Sequence, residues 1–191
     1  MNLPVMILAC DAAGITPLVR TPDFSRADIL NALEFGAGGV QVAMVDTPDQ
    51  ARALVRETKF APLGERGFSS VTRAADYGRA SMAEYAEAAN RETLLIVQLE
   101  TRRALENAST IADVAGVDMI FFGPGDLSQS LGLFGQEHDA VVRQAITEAV
   151  RAINGRVPVS TSAFSAADIH YWRTHGVKTF LTSSITPIRH A

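Results

Sequence analysis

The chain has 191 residues, enough for one domain with a real core, and its 47% hydrophobic and 20% charged residues are those of an ordinary globular protein. A formal net charge of −4 argues against nucleic acid as the main partner, and the apolar stretches are of strand length, too short to span a membrane and without the basic start of a signal peptide. Cys10 is the only cysteine, which excludes a disulfide framework and a cysteine-based zinc site and fits a reducing cytoplasm.

In chain order, Val5 to Ala13 reads as the back half of a helix, and Ile15 to Arg20 as a short strand ending in a charge. Ser25 caps a helix from Arg26 to Phe35, which Gly36 terminates. Val40 to Val45 is a strand, and Thr47 with Pro48 opens a helix to about Thr58. Residues 59 to 90 form an insertion rich in Gly, Arg and Ser, closing with a helix around Met82 to Asn90. The strand Leu94 to Leu99 precedes a helix Arg103 to Val114, and the strand Met119 to Phe122 precedes a long loop from Gly123 to about Glu137. A helix from about Asp139 to Asn154, a strand Val157 to Ser162, a helix Ala166 to His175 and a strand Lys178 to Ser183 complete the pattern.

Alternation of this kind predicts an α/β protein with parallel strands joined by helical crossovers. Charges spread over several strand ends favour a barrel over an open doubly wound sheet, whose ligands gather at one switch point. A complete barrel has eight strands and this chain shows six. With its abrupt start and finish, the sequence reads as one domain over residues 1–191, a (β/α)8-type barrel missing an eighth to a quarter of its wall.

Two carboxylates end apolar strands: Glu100 after Leu94–Leu99, and Asp126 after Met119–Phe122. The C-terminal ends of the strands are the catalytic face of alternating β/α proteins, and two hard oxygen ligands can hold a divalent cation there. Taken singly, Glu100 equally suits a helix N-terminus, and Asp126 a turn with a cap. Gln98 shares the face of Glu100, and two polar residues on the inner side of an apolar strand need partners. Gly123 and Gly125 let backbone N–H groups approach a small anion, an arrangement suited to a chelated 2-oxo acid. Arg20 is either a surface arginine or a strand-end group for a carboxylate or developing enolate. The Gly- and Arg-bearing stretch Lys59–Gly67 could cap an anionic substrate, and Glu34 reads as solvated surface. His138, His170, His175 and His190 end no strand and read as surface histidines.

Together, Gly14–Arg20, Lys59–Gly67, Val97–Thr101 and Gly116–Ser128 resemble the HpcH/HpaI aldolase/citrate lyase family, the metal-dependent 2-oxo acid (pyruvate) aldolases, in order and spacing from about Ala9 to Ser183. The resemblance implies that Glu100 and Asp126 ligate Mg²⁺, Mn²⁺ or Co²⁺, with waters completing the octahedron, and that Gln98 supports the metal site. It implies that Arg20 contacts the pyruvate keto or enolate oxygen and that the Gly125 and Asp126 amides hold the pyruvate carboxylate. The implied reaction is aldol cleavage or condensation of 4-hydroxy-2-oxo acids, giving pyruvate and an aldehyde, in a homo-oligomer (trimer or hexamer) with neither nucleic acid nor membrane as partner. The family's histidine base follows a strand that would precede Met1, while Glu34 falls where its carboxylate partner would be. Ile185 replaces an acidic residue common after the last strand, and Thr186–Ala191 leaves no room for a final helix. The resemblance thus implies that the first two strands and last helix are the missing parts of the barrel. The alternatives are an impaired remnant that binds metal and 2-oxo acid without the base, or a citrate lyase β-like acyl-CoA lyase.

Overall fold

The computed structural model describes residues 2–79 and 81–183; the expectations for Ile185, Thr186–Ala191 and His190 lie outside them. Its strands are β1 (Leu18–Thr21), β2 (Gly39–Val42), β3 (Leu94–Leu99), β4 (Met119–Phe122), β5 (Val159–Ser162) and β6 (Thr179–Leu181). They follow one another in the sheet in the order of the sequence. The β1–β2, β4–β5 and β5–β6 pairs are parallel. A sequential order is that of a barrel wall, whereas a doubly wound sheet reverses its order at a switch point. Contacts gather the described residues into two compact units, one within 2–43, 49–96 and 115–117, the other within 44–48, 97–114 and 118–183.

In the first unit, α1 (Leu3–Ala12) starts at Asn2, whose side chain accepts from the Val5 N–H at 3.4 Å. This helix is apolar almost all round, yet only Ile7 is buried. α2 (Arg26–Glu34) is capped as expected by Ser25, which accepts from the Asp28 N–H at 3.3 Å, and it stops at Gly36, where φ is +98°. α3 (Pro48–Thr58) buries Ala51, Leu54, Val55 and Thr58, the i, i+3, i+4, i+7 stripe of an amphipathic helix. α4 (Met82–Glu92) opens with a reciprocal capping box between Ser81 and Glu84. Register places Arg20 beside Gln41 on the same face of the β1–β2 pair.

In the second unit, the helix expected over Arg103–Val114 is two short ones, α5 (Arg102–Glu106) and α6 (Ala108–Ala112), broken at Asn107. There the Asn107 amide donates to the Arg103 carbonyl at 3.1 Å and to the Asp46 carbonyl at 2.9 Å, drawing this turn toward the β2–α3 connection. The long loop expected from Gly123 is replaced at its start by a helix, α7 (Pro124–Ser130). Pro124 suits a first helical turn, and the burial of Leu127 and Ser128 holds a segment of low intrinsic propensity in helical form. α8 (Ala140–Ile153) is capped by Asp139 and ends at a left-handed Asn154. After it, Arg156 donates to the Ile153 carbonyl at 2.7 Å and to Ser109 Oγ at 2.7 Å, fastening α8 to α6. α9 (Ala166–Thr174) begins at Ser165.

Candidate active site

The second unit assembles a polar cluster at the end of β3. Glu100 follows the last strand residue and is 2% exposed. A buried carboxylate needs partners. Its Oε1 accepts from the Met44 N–H at 2.9 Å, and its Oε2 accepts from Gln98 Nε2, on the same strand face two residues earlier. Gln98 is itself buried, with its backbone carbonyl accepting from the Val45 N–H at 3.0 Å.

Two neighbours shape the space around Glu100. From β4, the Gly123 N–H donates to the Leu99 carbonyl at 3.1 Å, and a Cβ on Gly123 would lie 2.7 Å from Glu100 Oε2 and 3.2 Å from Gln98 Nε2. Only glycine leaves this carboxylate where it is. On the other side, Thr101 Oγ1 donates to Asp46 while accepting from the Ala104 N–H at 3.0 Å, so one hydroxyl caps α5 and ties it to the segment that carries Met44.

Asp126 lies three residues beyond Gly123, in the first turn of α7, and is exposed, as is Gly125. A Cβ on Gly125 would meet open space. The sheet order sets Glu100 and Asp126 at the ends of neighbouring strands. Among the described residues no group of three or more His, Cys, Asp or Glu side chains is arranged to hold a metal ion. Carboxylates such as these two are hard oxygen donors, of the kind that Mg²⁺ or Mn²⁺ takes with water.

Arg20 belongs to the first unit, where its exposed side chain lines a cavity of about 800 Å³ with Thr21, Asp28, Asn31 and Phe35. The Lys59–Gly67 stretch does not present its cations to a substrate. Lys59 is buried and donates to the Thr93 and Asn90 carbonyls. Arg66 is buried over the Phe60 ring, 4.5 Å from its centroid, and donates to the Tyr85 hydroxyl at 3.1 Å. That burial lowers the Arg66 pKa from its ordinary value. Glu34 closes α2 half-buried. His138 precedes α8, 3.8 Å from Asp168, while His170 and His175 lie on and just after α9.

Met44 and Asp46 were missed by sequence reasoning. The first acts through its backbone, which no residue type announces, and the second sits in an Asp-Thr-Pro stretch that reads as a plain helix start.

The fold and this cluster define a parallel β/α protein with a carboxylate site at its strand ends. The profile of the HpcH/HpaI aldolase/citrate lyase family matches residues 5–184, and the chain belongs to that family. It is 39% identical over 153 residues to the 2-keto-3-deoxy-L-rhamnonate aldolase of Klebsiella pneumoniae, a match covering 80% of this chain and 56% of the relative. It is 44% identical over 147 residues to the hydroxypyruvate/pyruvate aldolase of Deinococcus radiodurans, covering 77% of this chain and 53% of the relative. A HpcH/HpaI aldolase/citrate lyase family protein of known structure from Burkholderia cenocepacia superimposes with a TM-score of 0.91 at 30% identity, covering 98% of this chain and 76% of that one. The chain spans about half the length of the curated relatives it matches. Among the described residues no helix is long and apolar enough to cross a membrane.

Proposed function

We propose that this chain serves a carbon–carbon lyase of barrel type, acting on 4-hydroxy-2-oxo acids to give pyruvate and an aldehyde with the help of Mg²⁺, Mn²⁺ or Co²⁺. The observation that carries the reading is the buried Glu100 carboxylate, held on both oxygens in a chain of this family. Gly123 keeps the carboxylate uncrowded, and the donor set fits a hard divalent ion.

Glu100 and Asp126 are the residues that would hold the cation. A divalent ion there supplies Lewis-acid polarisation of a 2-oxo acid, which makes its methyl protons acidic. Gln98 and the Met44 N–H keep the Glu100 carboxylate oriented. The Gly125 and Asp126 amides are assigned to the substrate carboxylate, and Arg20 to its keto oxygen; both assignments rest on the resemblance. The family resemblance also supports a homo-oligomer, trimer or hexamer.

Thermal unfolding with Mn²⁺ and pyruvate tests the reading. The wild-type melting temperature should rise with both present, and Glu100→Ala or Asp126→Ala should remove the rise. An unchanged wild-type curve speaks against the site. A second reading, binding without turnover, draws on the described histidines, which lie before α8 and on or just after α9 rather than ending strands. Exchange of pyruvate methyl protons into deuterated water separates the two, since binding alone leaves the methyl group unexchanged.

A further inference from the structure

Four non-glycine residues among those described have positive φ: Met44, Asp76, Tyr77 and Asn154. Asn154 caps α8, and asparagine tolerates this conformation. Met44 has no such tolerance: the residue is 46% exposed, and its φ of +60° costs about 1–2 kcal/mol for a residue with a Cβ. Strain of this kind persists where surrounding contacts hold it, and it clusters at functional sites.

The hydrogen bonds show what the strained residue does. The Ala43 N–H donates to the Thr21 carbonyl at 3.4 Å, and the Val45 N–H donates to the Gln98 carbonyl at 3.0 Å. Between these two backbone bonds, the Met44 N–H leaves the strand pattern and donates to Glu100 Oε1 at 2.9 Å. One left-handed residue thus turns one amide onto a side-chain carboxylate. Gln98 holds the other oxygen, so the two contacts together fix the carboxylate plane. Just beyond, Asp46 is gripped by Thr101 and Asn107, which clamps the segment on its far side.

We infer that Met44 is a positioning residue for Glu100, acting through its left-handed backbone amide rather than its side chain. The inference rests on the proposed metal-binding role of Glu100. It predicts an unusual ranking of substitutions. Met44→Gly keeps the amide and accepts φ near +60°, so it should bind Mn²⁺ within about threefold of wild type. Met44→Val keeps an apolar side chain, but its β-branch disfavours this backbone, so the amide should swing away. Groups that orient metal ligands are worth about 10- to 100-fold in affinity, and Met44→Val should lose that much.

The test is Mn²⁺ titration of the full chain without substrate, followed by the paramagnetic resonance of free Mn²⁺, with melting curves reporting the fold. Amide hydrogen exchange on metal-free protein runs beside it. The Met44 amide should be protected in wild type and exchange on the order of tenfold faster in Glu100→Ala, while the Val45 amide keeps its protection. Wild-type Mn²⁺ affinity in Met44→Val overturns the inference, as does equal loss in Met44→Gly and Met44→Val. An unprotected Met44 amide in wild type overturns it whether or not metal binds. Wild type and Glu100→Gln that both ignore Mn²⁺ would sink the aldolase reading instead. The exchange arm then decides alone whether Met44 orients Glu100.

Discussion

Gly123 stands against Glu100 with nothing where a Cβ would be: that atom would sit 2.7 Å from Oε2. Gly123 directly follows β4 and Glu100 directly follows β3, so the space beyond these neighbouring strand ends holds the carboxylate and the Gln98 amide with no room for a methyl group. Gly123→Ala should push the carboxylate off both of its donors. Overpacking of this sort costs about 1–3 kcal/mol, and denaturant unfolding should show it. Mn²⁺ affinity should fall on the order of tenfold. Unchanged affinity in a folded Gly123→Ala protein would remove Glu100 from the metal site.

Thr101 serves two elements with one hydroxyl. Thr101→Val removes both the cap of α5 and the link to Asp46. Losing a cap costs about 0.5–2 kcal/mol, and Thr101→Ser should restore the stability because it keeps the hydroxyl. A serine variant as unstable as the valine one would show that the methyl group, not the hydrogen bonds, is what matters.

Lys59 is predicted to be structural. Its ammonium group satisfies the Thr93 and Asn90 carbonyls in a buried setting. Lys59→Met fills similar space but strands those acceptors, at about 1–3 kcal/mol. The melting temperature should drop while Mn²⁺ affinity stays at the wild-type level. Lost metal binding in a folded Lys59→Met protein would return this residue to the candidate site.

The capping box of α4 sets a pH dependence. The Glu84 carboxyl is held below the ordinary glutamate value, first by the Ser81 hydroxyl and then by the Ser81 N–H. A depressed carboxyl pKa contributes stability above the unfolded value, and that contribution is lost as pH falls through the folded value. Wild type should therefore melt above Glu84→Gln at neutral pH, with the gap closing in acid, where both side chains are neutral. A gap that stays constant across the titration would rule out the charge as its source.

How much of this was legible in the sequence depends on which force sets each feature. β3 and β4 carry continuous apolar runs bounded by polar turns, and their limits match the sequence reading at Leu94, Leu99, Met119 and Phe122. The cap at Ser25 was also readable, because a side-chain oxygen at a helix start answers a local need. α7 was not: Pro124-Gly125-Asp126 has the composition of a turn, and its helix depends on burying Leu127 and Ser128, a tertiary effect. The break at Asn107 likewise follows from a distant partner, the Asp46 carbonyl. Glu100, Gln98 and Asp126 stood out as polar residues at apolar strand ends, and the structure joins Glu100 to Gln98. The buried ties of Lys59 and Arg66 contradict the substrate-capping role expected of their segment, because charge in a sequence does not reveal which way it faces.

The left-handed turn at Met44 makes this position blind to the usual currency of substitution. Size, polarity and charge matter little when the working group is a backbone amide. A full set of replacements should sort by tolerance of the backbone: glycine first, asparagine and aspartate next, valine and isoleucine last. Homologues that keep the geometry could therefore differ freely in the residue they place there.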